Sequence, residues 1–101
     1  MAVKEQISTD GKVLTISLSG RFDVSVYKDF SEVYKDKLGS VAHYVIDMAE
    51  VEYLDSSALG MLLMMRERVG GTGALIEIIN CSPGIKKIFQ TVNFDKLLPI
   101  G

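Results

Sequence analysis

The sequence predicts an α/β domain in which crossover helices pack on one mixed β-sheet opened by an N-terminal hairpin. Three observations carry that prediction. Two strand-like runs flank an Asp-Gly pair near the start of the chain. Strand and helix patterns then alternate to its end. No repeat, low-complexity segment or linker interrupts the order. With 101 residues, 48% of them hydrophobic, the chain suits a single domain over residues 1–101 built on one core.

Val3 to Ser8 and Val13 to Ser19 are the hairpin strands, and Asp10-Gly11 is a favoured pair where both turn residues need positive φ. In the second run Leu14, Ile16 and Leu18 alternate with Val13, Thr15, Ser17 and Ser19, the period-2 pattern of a strand with one buried face. After Gly20-Arg21-Phe22-Asp23 the step changes. Val26, Phe30, Val33, Tyr34 and Leu38 fall on one side of a helix that Gly39 ends. Tyr44-Val45-Ile46-Asp47-Met48 is rich in strand formers and predicts a short central strand ending near Asp47.

Asp55-Ser56-Ser57 offers capping side chains to a second helix, with Ala58, Leu62, Met65 and Val69 as its inner stripe and Gly70-Gly71 as its stop. Ala74 to Ile79 is a further strand. Ser82-Pro83, a cap followed by proline at the first helical position, opens a last helix with Ile85, Ile88, Phe89 and Val92 facing inward. Leu97 to Ile100 suits either a short strand or an ordered tail.

Composition narrows the function classes. Charged residues make up 24% and the net charge is only -2, so no basic footprint invites nucleic acid or anionic lipid. The longest apolar stretch, Ala58 to Met65, falls far below the roughly 20 residues of a membrane span. Met1-Ala2-Val3-Lys4-Glu5-Gln6 lacks the apolar centre of a secretion signal. The single cysteine, Cys81, has no thiol partner and no spaced ligands for a metal, which fits a reducing cytoplasm. His43 likewise has no second ligand placed by spacing and is expected at the surface or at a strand entry. Gly70-Gly71-Thr72-Gly73 follows a helix where a phosphate cradle would precede one, and it lacks the lysine-serine ending of a P-loop. Lys86-Lys87, opposite Ile85, Ile88 and Phe89, reads as a solvated face. No cofactor or metal is expected.

Chemistry concentrates in Val51-Glu52-Tyr53-Leu54-Asp55-Ser56-Ser57-Ala58-Leu59-Gly60, where a strand-to-helix loop is expected to bring two hydroxyls to a helix start. Unpaired backbone N–H groups and the positive end of the helix dipole favour negative charge there, by typically ~0.3–1 kcal/mol at an exposed site. A phosphate would add roughly -1.5 to -2 charges and three acceptor oxygens, leaving the fold intact while changing what the helix end can dock against. Against a surface built for neutral hydroxyls, a penalty of about 4 kcal/mol would weaken binding on the order of a thousandfold. The plainer reading makes Asp55, Ser56 and Ser57 simple helix caps. Met61 and Met64, turned away from the inner stripe that holds Met65, are expected as an apolar patch beside Ser56, with ordinary packing as the alternative.

Leu54-Asp55-Ser56-Ser57-Ala58-Leu59-Gly60, placed after a central strand, resembles the signature of the STAS family, the bacterial anti-sigma-factor antagonists. Leu18-Ser19-Gly20-Arg21-Phe22-Asp23 is similar to the family's "L-x-G-x-x-D" step, and Asn80-Cys81-Ser82-Pro83 stands where the family has it, before the last helix. The resemblance implies a STAS-like fold and a non-enzymatic phosphorylation switch in partner switching. Ser56, the first serine after the aspartate, would be phosphorylated by a GHKL-type serine kinase and dephosphorylated by a PP2C-like phosphatase. The unphosphorylated form would bind the kinase or another anti-sigma-like regulator. By the same carry-over Asp23 lies near the phosphoacceptor and contributes to partner recognition, Asp55 positions the loop, and Ser57 is a secondary site. Ala58 departs from the glycine of many relatives, and as the better helix former it strengthens the helix start.

Two other function classes remain at this point. A ligand- or nucleotide-sensing interaction domain would leave the serine unused. A serine hydrolase would need glycines around the nucleophile, a base and an acid, whereas Asp55 and Ser57 flank Ser56 and the chain has one histidine.

Overall fold

The structure, a computed structural model, describes residues 2–101. Its elements run β1 (Val3–Ile7), β2 (Val13–Phe22), a 3-10 turn (Val24–Val26), α1 (Tyr27–Lys35), β3 (His43–Leu54), α2 (Ser56–Gly70), β4 (Leu75–Ile79), α3 (Pro83–Thr91) and a second 3-10 turn (Phe94–Lys96). The strands form one sheet in the order β1-β2-β3-β4, with β1 antiparallel to β2 and the other pairs parallel. This is the mixed sheet that the alternation of patterns predicts.

Alternation on the strands sets the buried face. Leu14, Tyr44 and Ile76 stand in register across β2, β3 and β4, as do Ile16, Ile46 and Ile78. All six are buried and meet Phe30 and Tyr34 of α1, Leu62, Met65 and Val69 of α2, and Ile85 and Phe89 of α3 in one cluster. Phe22, Phe30 and Tyr34 meet in sequence at tilted and edge-on angles, with ring centroids 5.5 Å apart at each step, tying the end of β2 to α1.

The hairpin closes differently from the expectation. Gly11 alone is left-handed (φ +73), and Asp10 is not. Side chains do the work of a two-residue turn: the Asp10 carboxylate accepts from the Ser8 hydroxyl at 2.7 Å and from the Lys12 N–H at 3.0 Å, while the Ser8 hydroxyl accepts from the Val13 N–H at 2.9 Å.

Two strands run further than the sequence suggests. β2 continues past Ser19 to Phe22, and β3 continues past Asp47 to Leu54. Register shifts between Ser17 and Ser19 and between Gly20 and Arg21 interrupt their pairing. Across this irregularity the buried residues of β3 fall at Met48, Val51 and Leu54, a step of three that hides the strand from a period-2 reading. The expected loop before the second helix therefore shrinks to Asp55 alone.

Smaller differences have similar causes. α1 ends at Lys35, so Leu38 packs from the turn before Gly39 (φ +85) rather than from the helix. On α3, Ile85 and Phe89 are buried but Ile88 is exposed, as is Val92 at the C-terminal cap. That helix follows the edge strand and leans on the second 3-10 turn through Phe89 and Phe94, so only a narrow arc is covered. The tail is strand-like: Ile100 bridges Ile78 in parallel, the Ile78 N–H donates to the Pro99 carbonyl at 2.9 Å, and the Gly101 N–H donates to the Ile78 carbonyl at 2.8 Å. It covers part of the outer edge of β4. No helix among the described residues is long and apolar enough to cross a membrane.

Candidate functional site

Because Phe22 and Leu54 are paired at the ends of β2 and β3, Asp23 and Asp55 leave the sheet side by side. Both keep extended backbone, with φ -145 and -126, and each caps the helical turn after it. Asp23 Oδ1 accepts from the Ser25 N–H at 3.0 Å and from the Ser25 hydroxyl. Asp55 Oδ1 accepts from the Ser57 N–H at 3.0 Å, the Ala58 N–H at 3.2 Å and the Ser57 hydroxyl. Two Asp-x-Ser caps thus stand on neighbouring strands, satisfying free N–H groups of the first turns.

The caps separate the two serines of the motif. Ser57 spends its hydroxyl on Asp55 and is half-buried. Ser56, the first residue of α2, is exposed, and its hydroxyl makes no hydrogen bond to the described residues. Hydrogen bonding holds both carboxyls below the usual carboxylate range. For Asp55 the Ser57 hydroxyl is the main cause, partly opposed by burial and by the negative charge of Asp23. For Asp23 the Ser25 hydroxyl leads, followed by the Ser25 N–H, with Arg21 adding to it.

Arg21 and Tyr53 complete the group. They are register partners on β2 and β3. The Arg21 guanidinium lies 4.0 Å from the Tyr53 ring centroid, and its Nε donates to Asp23 Oδ2 at 3.2 Å. Sequence reasoning gives neither residue a role, because the stretch holding Tyr53 reads as a loop. The step of three between Met48, Val51 and Leu54 hides this part of the strand, so alternation gives no signal for the pair.

The structure brings Asp23, Asp55, Ser56 and Ser57 together but splits the methionines. Met64 is 37% exposed, next to the exposed Leu63. Met61, expected in the same patch, is 5% exposed and belongs to the core cluster. The buried arc of α2 includes Ala58, Met61, Leu62, Met65 and Val69, wider than the four-residue stripe read from the sequence, because the helix packs against both the sheet and α1. The Ala58 side chain is fully buried against that surface.

The sole histidine lies far from Ser56. His43 opens β3 at the end opposite Asp55 and pairs through Nε2 with Glu77 at 2.9 Å. Ser56 therefore has no imidazole beside it to act as a base. A cleft of about 630 Å³ is lined by residues such as His43, Arg66, Gly70, Leu75 and Pro99 and does not include Ser56. Among the described residues no group of three or more His, Cys, Asp or Glu side chains could hold a metal ion. The site is a charged, hydroxyl-bearing surface at the end of a sheet.

Comparison with known proteins identifies the family and the fold. The family model described as "Mlab, STAS domain" matches residues 5–99. A STAS-domain containing protein of Pseudomonas aeruginosa (strain UCBPP-PA14) is 44% identical over 101 residues, covering all of both chains. The anti-sigma factor antagonist SpoIIAA in its unphosphorylated form superposes with a TM-score of 0.84 at 18% identity, over 99% of this chain and 88% of that one. The Bacillus cell fate determinant SpoIIAA in its phosphorylated form gives 0.77 at 19% identity, over 99% and 91%. The chain belongs to the STAS domain family, and its fold is that of the anti-sigma factor antagonists.

The cap and the methionines each lead to a measurable outcome. The carboxyls of Asp23 and Asp55 titrate lower in the folded chain than the ordinary 3.8 of the unfolded one. Their stabilisation is therefore complete above that value and is lost as pH falls through the folded pKa. Asn at position 55 keeps a capping oxygen without the charge, so thermal melts of Asp55→Asn between pH 5 and about pH 2 should show a flatter acid limb than wild type. Equal slopes would contradict the assignment. Met61→Ala should cost about 2–5 kcal/mol in denaturant unfolding, whereas Met64→Ala should stay within about 0.5 kcal/mol.

Proposed function

We propose that this domain is a phosphorylation-controlled protein-binding switch with Ser56 as its phosphoacceptor. The observation that carries the reading is the division of labour between the serines. The Ser57 hydroxyl is committed to the Asp55 cap, while the Ser56 hydroxyl is exposed and unengaged at the positive end of α2. Local backbone charge tolerates a dianion there, and capping by Asp55 does not depend on the Ser56 side chain.

In this reading the unphosphorylated surface around Asp23, Asp55, Ser56 and Ser57, with Met64 at its margin, binds a GHKL-type serine kinase or a related anti-sigma-like regulator. Transfer of phosphate to Ser56 releases that partner, and a PP2C-like phosphatase restores binding. The setting is the bacterial cytoplasm, the output is transcription or another regulated pathway, and the domain itself is not an enzyme. The existence of a phosphorylated form of SpoIIAA, whose fold this chain shares, supports the proposal. So does the placement of two carboxylates beside the acceptor, which gives a partner a defined pattern of charge and hydroxyls to recognise before modification.

Titration calorimetry with the cognate regulator tests it. Wild type and Ser56→Ala should bind alike, and Ser56 phosphoprotein should bind roughly a thousandfold more weakly, corresponding to about 4 kcal/mol. Ser57→Ala should retain the phosphate dependence. Equal affinity for modified and unmodified protein would refute the proposal.

A further inference from the structure

We propose that Arg21 is the internal counter-ion of a phosphate on Ser56, and that it leaves Asp23 and the face of Tyr53 to take that role. The inference deepens the reading of Ser56 as phosphoacceptor and rests on it. Arg21 is opposite Tyr53 in the sheet. Ser56 follows Tyr53 by three residues, so at most about 11 Å of extended chain separates their Cα atoms. Asp23, which holds the guanidinium, leaves the sheet beside Asp55, so the Arg21 head group is brought next to the residue that precedes the acceptor.

The guanidinium is held loosely and is only partly used. Its side chain is 65% exposed. Nε donates to Asp23 Oδ2, while the two Nη groups meet no acceptor among the described residues. An exposed ion pair of this kind contributes little and exchanges readily. The Asp23 carboxylate cannot offer the fork two free oxygens, because Oδ1 already accepts from the N–H and the hydroxyl of Ser25. A phosphate offers three, any two of which the planar guanidinium fork can engage bidentately.

Charge balance gives the movement its direction. Asp23 and Asp55 stand close enough for the charge of Asp23 to act on Asp55, and Arg21 is the cation acting on Asp23. A phosphate on Ser56 brings roughly -1.5 to -2 further charges into the same neighbourhood. Asp55 has no cation of its own among the described residues, so Arg21 is the group available to offset the new charge. Its departure uncovers the Tyr53 ring and frees Asp23 Oδ2. Phosphorylation is thereby displayed on the outward side of β2 and β3 as well as at the helix start, which changes the partner's contact surface without any movement of the backbone.

The test installs phosphoserine at position 56 by genetic encoding and follows its second ionisation by phosphorus NMR at low salt. Wild type, Arg21→Gln and Arg21→Lys are compared. A guanidinium paired to the phosphate favours the dianion, so the second pKa should be lowest in wild type, higher by about half a unit or more in Arg21→Gln, and intermediate in Arg21→Lys. In wild type the Tyr53 ring signals should also move on phosphorylation towards their positions in Arg21→Gln. The same second pKa in wild type and Arg21→Gln overturns the proposal. Because the phosphoserine is encoded, that result would remove the role of Arg21 and leave the Ser56 switch standing. Undiminished partner binding by the phosphoprotein would instead remove the switch.

Discussion

One carboxylate oxygen organises this surface. Asp55 Oδ1 accepts from the Ser57 N–H, the Ala58 N–H and the Ser57 hydroxyl. Those bonds start α2 directly at the end of β3, with a single extended residue between strand and helix. They also decide which serine keeps a free hydroxyl. Had the carboxylate taken the Ser56 hydroxyl instead, the exposed position would carry no unengaged nucleophile. The pairing of Phe22 with Leu54 then sets a second, matching cap at Asp23 alongside the first. Behind them the packed residues Phe22, Leu54 and Ala58 keep the ends of both strands fixed.

The fold was legible wherever local chemistry and tertiary packing agree. Leu14, Ile16 and Leu18 alternate in the sequence and are buried in the structure, and Ser82-Pro83 caps α3 with the Ser82 hydroxyl accepting from the Ile85 N–H. The order of strands and helices followed from that alternation. Legibility failed where pairing between strands overrides period. The irregular register of β2 against β3 spaces Met48, Val51 and Leu54 by three, and a strand of 12 residues looked like one of five before a loop. Burial around a central helix was likewise underestimated at Met61, which a second neighbouring element covers, and overestimated at Ile88 and Val92, which none covers.

At the site, the residue types were legible and their division of labour was not. Asp55-Ser56-Ser57 announces a helix start, and the resemblance to the STAS family directs attention to the first serine. Nothing in the letters says which hydroxyl the cap consumes, since that depends on a rotamer. Arg21 and Tyr53 were invisible for a different reason: they meet across strands 32 positions apart in the chain, through a register that the sequence does not print. The proposed switch would act through charge at a surface that is already formed. The core beneath it carries none of the groups that change, so modification can alter recognition while the domain stays as it is.

Everything proposed for this surface requires that the Asp55 cap withhold Ser57 and leave Ser56 as the acceptor. Phosphorylation by the cognate kinase to one phosphate per chain, then electron-transfer fragmentation and mass spectrometry, assigns the modified residue directly. The expected result is phosphate on Ser56 with Ser57 bare. Phosphate on Ser57, alone or in equal share with Ser56, would contradict it.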